Sequence, residues 1–471
     1  MLLQRFYDDG LAQASYLIGC DSTGEALVVD ANRHVEPYLE AAQAEDLRIT
    51  QVTETHIHAD FVSGSRELAQ RCGARLYLSD EGGPDWRYGY AAVDGATLLK
   101  DGDRLQVGKV GIDVLHTPGH TPEHLAFLVT DTAGAAAPMG LLSGDFVFVG
   151  DVVRPDLLER AVNLRGTMEA SARQLFRSLQ RLSTFPDYLQ LWPGHGAGSA
   201  CGKALGAVPQ STLGYERIVN WAFRIASENE FVTAALEGQP EPPRYFGEMK
   251  RINRDGPRLL GALQRPPRLD VARIAALVAA GAMVVDTRPA AEFAAGHLPG
   301  TINIPLNRAF TTWAGWLVPY AGDCALLVDS ARPEGIDEAV RDLAMIGLDR
   351  VAGYAELDRR ATRDAVGVIH SFTVQQLAER MRQGAVTVVD VRDHAEWQAG
   401  HLRGVANIPL GTLAQRIDEV PPTGAVVLHC QSGSRSAIAA SLLQARGRSN
   451  VVDLEGGFAA WRAAGYPVEE P

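Results

Sequence analysis

Short apolar runs separated by turn-forming residues dominate the first 245 positions. Tyr16-Leu17-Ile18 and Ala26-Leu27-Val28-Val29 flank Asp21-Ser22-Thr23-Gly24, which predicts a hairpin. Residues 35–44 and 64–71 carry helical spacing, 49–55 and 75–78 read as strands, and 105–115 as a second hairpin. Strands over 125–130, 140–143 and 188–192 and helices over 168–182 and 215–236 complete the stretch. The break Gly238-Gln239-Pro240-Glu241-Pro242-Pro243 and Pro266-Pro267 predict a stiff connector between residues 245 and 265. Beyond it the pattern repeats itself. Val285-Asp286-Thr287-Arg288, Gly296-His297-Leu298 and Asn303-Ile304-Pro305-Leu306 recur as Val389-Asp390-Val391-Arg392, Gly400-His401-Leu402 and Asn407-Ile408-Pro409-Leu410. Asp286 and Asp390 stand 104 residues apart, as do Leu306 and Leu410. This predicts two copies of one domain, each α/β with a parallel sheet because apolar strands alternate with helical stretches.

Composition narrows the partners. A chain of 471 residues has room for about three domains. A net charge of -13 argues against nucleic acid or an anionic membrane as main partner. No apolar stretch approaches the roughly 18 residues of a membrane span. The start of the chain lacks the basic and apolar regions of a secretory signal. Five scattered cysteines fit free thiols in a reducing compartment, so a cytoplasmic location is expected.

Polar residues recur where predicted strands end: Thr55-His56-Ile57-His58-Ala59-Asp60-Phe61, Gly119-His120-Thr121, Gly144-Asp145 and Pro193-Gly194-His195-Gly196. Two histidines and a carboxylate within five positions are costly to bury unless paired or bound to a metal; a solvated surface cluster is the plainer alternative. The string resembles the metallo-β-lactamase fold superfamily, whose signature is His-x-His-x-Asp-His followed by a later His, Asp and His. That resemblance implies an αββα sandwich with the metal at one sheet edge. Phe61 replaces the last histidine of the string, a position that serves a second metal, so what remains suits one.

Within the superfamily the pattern resembles the persulfide dioxygenases. The implied ligands of a mononuclear, non-haem iron(II) are His56, His120 and Asp145. Two imidazoles and one carboxylate would leave positions open for persulfide and dioxygen. His58 and Asp60 would then orient ligands, and His195 and His124 would face substrate; a structural hydrogen-bonding role is the alternative for His58, Asp60 and His195. Cys201, with Lys203 nearby to favour thiolate, is a candidate carrier of sulfane sulfur, or a small residue packed in a tight loop.

The repeat resembles the rhodanese family. The second copy carries Cys430-Gln431-Ser432-Gly433-Ser434-Arg435-Ser436 between a strand and a helix. Inward amides, a helix N-terminus and Arg435 all favour a thiolate and an anion beside it. Cys430 is thus the expected nucleophile, with Gln431, Ser432, Gly433, Ser434 and Ser436 binding substrate. A cysteine phosphatase uses a similar cradle, but the six residues from Cys430 to Arg435 make a smaller loop. In the first copy the apolar strand places Asp329 where Cys430 stands, and Cys324 reads as core, so that copy is expected to be inert.

The expected domains are 1–245, 265–365 and 372–471. The combined resemblance implies oxidation of a low-molecular-weight persulfide by O₂ to sulfite, followed by sulfur transfer to thiosulfate, in sulfide detoxification. The partners are then persulfides, O₂ and sulfite; a homo-oligomer is compatible with the sequence. A zinc-dependent thioester hydrolase of glyoxalase II type and a non-oxidising sulfur carrier remain as alternatives.

Overall fold

Alternation along the early strands sets the layers of the N-terminal part. The computed structural model describes residues 1–160, 166–239, 241–357 and 367–470. From the strands Gln13–Cys20 and Glu25–Val29, Leu17, Ala26 and Val28 pack against Tyr38, Ala42, Leu68 and Ala69 of the helices Glu36–Ala44 and Ser65–Cys72. Tyr16, Ile18, Leu27 and Val29 face the opposite way, onto Ile112, Val114, Phe127, Leu142 and Trp192 of a second sheet. Successive side chains of a strand point to opposite faces, so both faces are buried. In the second sheet, Ala126, Leu128, Leu141 and Leu191 turn outward onto Leu175 and Leu179 of the helix Met168–Arg181. The result is the expected αββα sandwich.

Each sheet has six strands. The first runs Leu2–Asp8, Gln13–Cys20, Glu25–Val29, Arg48–Thr53, Arg75–Ser79, Thr97–Leu99, antiparallel at the start and parallel afterwards. The second runs Ser211–Thr212, Gln190–Pro193, Gly140–Gly144, Leu125–Asp131, Val110–His116, Arg104–Val107, with one parallel pair, Gly140–Gly144 with Gln190–Pro193. The loops that leave Arg48–Thr53, Val110–His116, Gly140–Gly144 and Gln190–Pro193 carry His56, His120, Asp145 and His195.

The second unit holds the two repeats. The first copy orders its strands Ile302–Asn303, Met283–Asp286, Cys324–Asp329, Val351–Leu357, all parallel. The second orders His370–Phe372, Val451–Leu454, Ala425–His429, Val386–Asp390, Ala406–Asn407, again parallel. The repeated Asp-x-Arg does the same work in both. Arg288 grips Asp286 and donates to Gly296 O; Arg392 grips Asp390 and donates to Gly400 O.

Two expectations change. The helix expected over 215–236 is three: Leu213–Val219, Trp221–Arg224 and Glu228–Leu236. Asn220 and Ser227 break it by accepting the N–H of Ala222 and of Glu230, which makes each an N-cap rather than a helix interior. The connector expected up to residue 265 contains the helix Phe246–Asp255, with Phe246, Met249 and Asn253 buried, and the first unit extends to Ala262. Pro240, the expected domain end at 365 and Pro471 lie outside the described residues. Among the described residues, no helix is long and apolar enough to cross a membrane.

Candidate functional site

Burial and tertiary hydrogen bonds shape the histidine string. Asp30 ends its strand in the left-handed region, φ 56. Its carboxylate accepts the Thr55 N–H at 2.7 Å and faces His58 Nε2 at 3.0 Å. Burial alone would lower the His58 pKa, but Asp30 outweighs it and lifts the group to about 9. Asp30 thus anchors His58 through Nε2, while its Nδ1 is buried without a hydrogen-bond partner. His56 lies opposite: burial, then the neighbouring histidines, hold it well below its ordinary pKa, so it stays neutral with a lone pair to give. Its Nδ1 meets Thr55 Oγ1 at 2.9 Å.

Two close approaches place the other donors. A Cβ on Gly119 would come within 2.6 Å of Leu175, and one on Gly144 within 2.7 Å of Thr55. Only glycine lets the His120 and Asp145 loops come this near. One donor atom each from His56, His120 and Asp145 then lie within 4.8 Å of one another. His56 Nε2, His120 Nδ1 and Asp145 Oδ2 are buried without hydrogen-bond partners. His120 turns its other nitrogen, Nε2, to Asp145 Oδ2 at 3.7 Å, and donor atoms of two imidazoles and a carboxylate gathered this closely in a buried place fit a cation. Phe61, fully buried, packs tilted against His58, 4.4 Å between centroids.

Asp60, His195 and Cys201 form a second group of the same tightness. His195 Nδ1–H donates to Ala12 O at 3.0 Å, and Nε2 faces Asp60 at 3.1 Å and Asp145 at 3.4 Å. Burial pushes the His195 pKa down, but Asp145 and Asp60 outweigh it and hold it well above normal.

The thiol site is built from one loop. Cys430 follows the strand Ala425–His429, and its Sγ accepts the Gly433 N–H at 3.1 Å and the Ser436 hydroxyl at 3.7 Å. The helix Ser434–Ala445 starts immediately after Gly433, whose φ is +104. A Cβ on Gly457 would come within 2.4 Å of Cys430 O, so glycine is needed for this packing. Gln431, Ser432 and Ser434 are exposed around the loop.

Comparison with known proteins matches these two regions separately. The metallo-beta-lactamase superfamily model covers residues 8–195, and the rhodanese-like domain model covers 270–329 and 373–464. A solved metallo-beta-lactamase structure from Staphylococcus aureus subsp. aureus COL is 42% identical, with TM-score 0.68, over 76% of this chain and 99% of that one. A hydroxyacylglutathione hydrolase of Rhodopseudomonas palustris (strain BisA53) is 30% identical over 240 residues, 50% of this chain and 80% of the relative. The chain belongs to the metallo-beta-lactamase superfamily. Its C-terminal part carries rhodanese-like domains. The ETHE1 structure from Myxococcus xanthus is 26% identical with TM-score 0.44, over 54% of this chain and 98% of that one.

Within this superfamily member, four residue readings change. His124 does not face substrate: its Nε2 accepts the Asp145 N–H at 3.1 Å and its Nδ1 meets Thr117 Oγ1 at 2.8 Å, so both nitrogens are used. Cys201 is not a favoured thiolate. Burial, then Asp145 and Asp60, push its thiol up to about 12, and Lys203 instead donates to Ala234 O and Glu237 O. Arg435 does not present a free fork to an anion, because Glu396 holds both its terminal nitrogens, at 2.5 and 2.8 Å. In the first rhodanese-like copy, Asp286 pairs with Leu327 as Asp390 pairs with His429, so Val328, not Asp329, stands where Cys430 does. Cys324 is buried at the far end of that strand, its thiol pushed up to about 11 by burial.

Two contributors had no sequence signal. Asn253, 1% exposed, donates to His58 O at 2.8 Å and Phe61 O at 2.7 Å and accepts the Ser63 N–H at 2.9 Å. It clamps the histidine loop from 195 residues away. Arg154 is fully buried, pairs with Asp156 at 2.8 and 2.9 Å, and its N–H donates to Cys201 O. Asp30 was within reach of sequence reading, as a carboxylate ending an apolar strand.

Proposed function

We propose that the chain is a persulfide dioxygenase joined to a sulfurtransferase, acting in sulfide detoxification. A low-molecular-weight persulfide RSSH reacts with O₂ and water to give the thiol RSH and sulfite; a second RSSH passes its outer sulfur to Cys430 and leaves as RSH, and sulfite takes that sulfur from the Cys430 persulfide to give thiosulfate and the free thiolate. The observation that carries this reading is the convergence of one buried donor atom each from His56, His120 and Asp145 to within 4.8 Å, beside a position where Phe61 offers no ligand atom. Two neutral imidazoles and one carboxylate suit a mononuclear iron(II), which when bound supplies dioxygen activation next to sulfur.

The chain's own residues do the rest. Thr55 orients His56 through Nδ1, and Asp30 fixes the loop by holding His58 through Nε2. His124 holds the Asp145 backbone. The apolar Phe61 and Phe148 limit water around the donors. In the second rhodanese-like copy, the Gly433 amide and Ser436 hydroxyl stabilise Cys430 as thiolate and as persulfide.

The test is product identity: wild type should consume O₂ with persulfide and release thiosulfate, while Cys430→Ser should consume O₂ equally and accumulate sulfite. Absence of O₂ uptake by wild-type protein loaded with iron would end the proposal. A second reading, a zinc thioester hydrolase, draws support from the hydroxyacylglutathione hydrolase relative and from the Asp60, His195, Cys201 group as a place for a second metal. Hydrolysis of an acylglutathione without O₂ uptake would favour it.

A further inference from the structure

The Cys430 cradle is short of positive charge. Arg435 lies fork-on-carboxylate with Glu396, Nη1 to Oε2 at 2.5 Å and Nη2 to Oε1 at 2.8 Å. Glu396 cannot swing aside freely, because Oε2 also accepts the Asp393 N–H at 3.2 Å at the start of the helix His394–Gln398. The Asp393 carboxylate stands 3.6 Å from Arg435 Nη1. The other guanidinium beside the loop, Arg392, contacts Gln431 at 3.5 Å but is spent on buried Asp390 at 2.7 Å. Two cations thus face three carboxylates. The attraction left for an anion comes from backbone N–H groups and the helix start, which are partial charges.

We propose that Glu396 sets the substrate class of the Cys430 site. By neutralising Arg435 it leaves a cradle that takes sulfur from the uncharged RS–SH end of an organic persulfide and holds dianions such as thiosulfate poorly. The inference rests on the sulfurtransferase reading above and deepens it. The Cys430 thiolate attacks the outer sulfur of RS–SH; the S–S bond breaks, the proton passes to the leaving thiolate as RSH, and Cys430 is left as the persulfide anion. No oxidant is consumed. The direction of use follows: sulfur enters from persulfide, and thiosulfate, once formed, is released rather than retained.

The test is Glu396→Gln in the full chain. The glutamine oxygen can still accept the Asp393 N–H, so the helix start is preserved while the charge is lost. Alkylation of Cys430, read by peptide mass, is compared for iodoacetate and iodoacetamide. The rate ratio of the anionic to the neutral reagent should rise about threefold or more. With cyanide as acceptor, the KM for thiosulfate should fall about five- to tenfold, while the KM for mercaptoethanol persulfide changes less than about twofold and kcat for both is retained. An unchanged alkylation ratio, or equal changes in both KM values, overturns the role of Glu396. A shifted ratio in a protein that transfers sulfur from neither donor upholds the charge role and overturns the sulfurtransferase reading instead.

Discussion

The metal centre and the thiol loop are assembled in opposite ways. The donors of the first come from three separated loops, at His56, His120 and Asp145, and are held by Asp30, His124 and Asn253 from elsewhere in the chain. The second is one continuous turn, in which the Cys430 sulfur is served by Gly433 and Ser436. A distributed site depends on buried polar contacts made at long range, each costly to leave half-made. A local loop depends on backbone conformation and one strand-to-helix junction. Damage should therefore spread within the first site and stay confined in the second.

The largest effect expected from this contrast is at Asp145. Asp145→Ala should weaken metal binding by more than about 100-fold, measured by competition with a chelator, while Cys430 alkylation proceeds at the wild-type rate. Loss of both together would erase the distinction. Asn253→Ala tests long-range support. It leaves two carbonyls and an amide without their partner, and should lower metal affinity about tenfold and unfolding stability by about 2 kcal/mol.

A smaller effect is in pH. Burial lifts the Glu123 carboxyl from 4.5 to about 7, and it accepts the Ile57 N–H within the histidine loop. A raised acid contributes stability that is fully present below its unfolded pKa and is lost as pH rises through the folded one. The urea-unfolding stability of the metal-free protein minus that of its Glu123→Gln variant should thus fall by about 2 kcal/mol between pH 5 and 8. The smallest effect expected is at Cys201: with its thiol pushed up to about 12, Cys201→Ser should keep persulfide turnover within about twofold.

The same contrast explains what was legible in the sequence. The turn that places Cys430 beside Gly433 and Ser436 could be read because its parts are neighbours in the chain. The αββα layers and parallel sheets followed from strand alternation and the repeat. The donors were visible as polar residues at strand ends, whereas His124 was misread because its partner, the Asp145 N–H, is 21 residues away. Arg435 looked free because Glu396 is 39 residues distant. Aligning apolar runs slipped the first copy by one residue, placing Asp329 for Val328; only the pairing with Asp286 fixes the register. Asn253 lay in what the prolines made look like a connector.

The most direct test is metal content with gas uptake on one sample. Purified without oxygen, the protein should carry about one iron per chain and little zinc, and should take up about one O₂ for each glutathione persulfide oxidised. Two zinc ions per chain with no O₂ uptake would contradict the account.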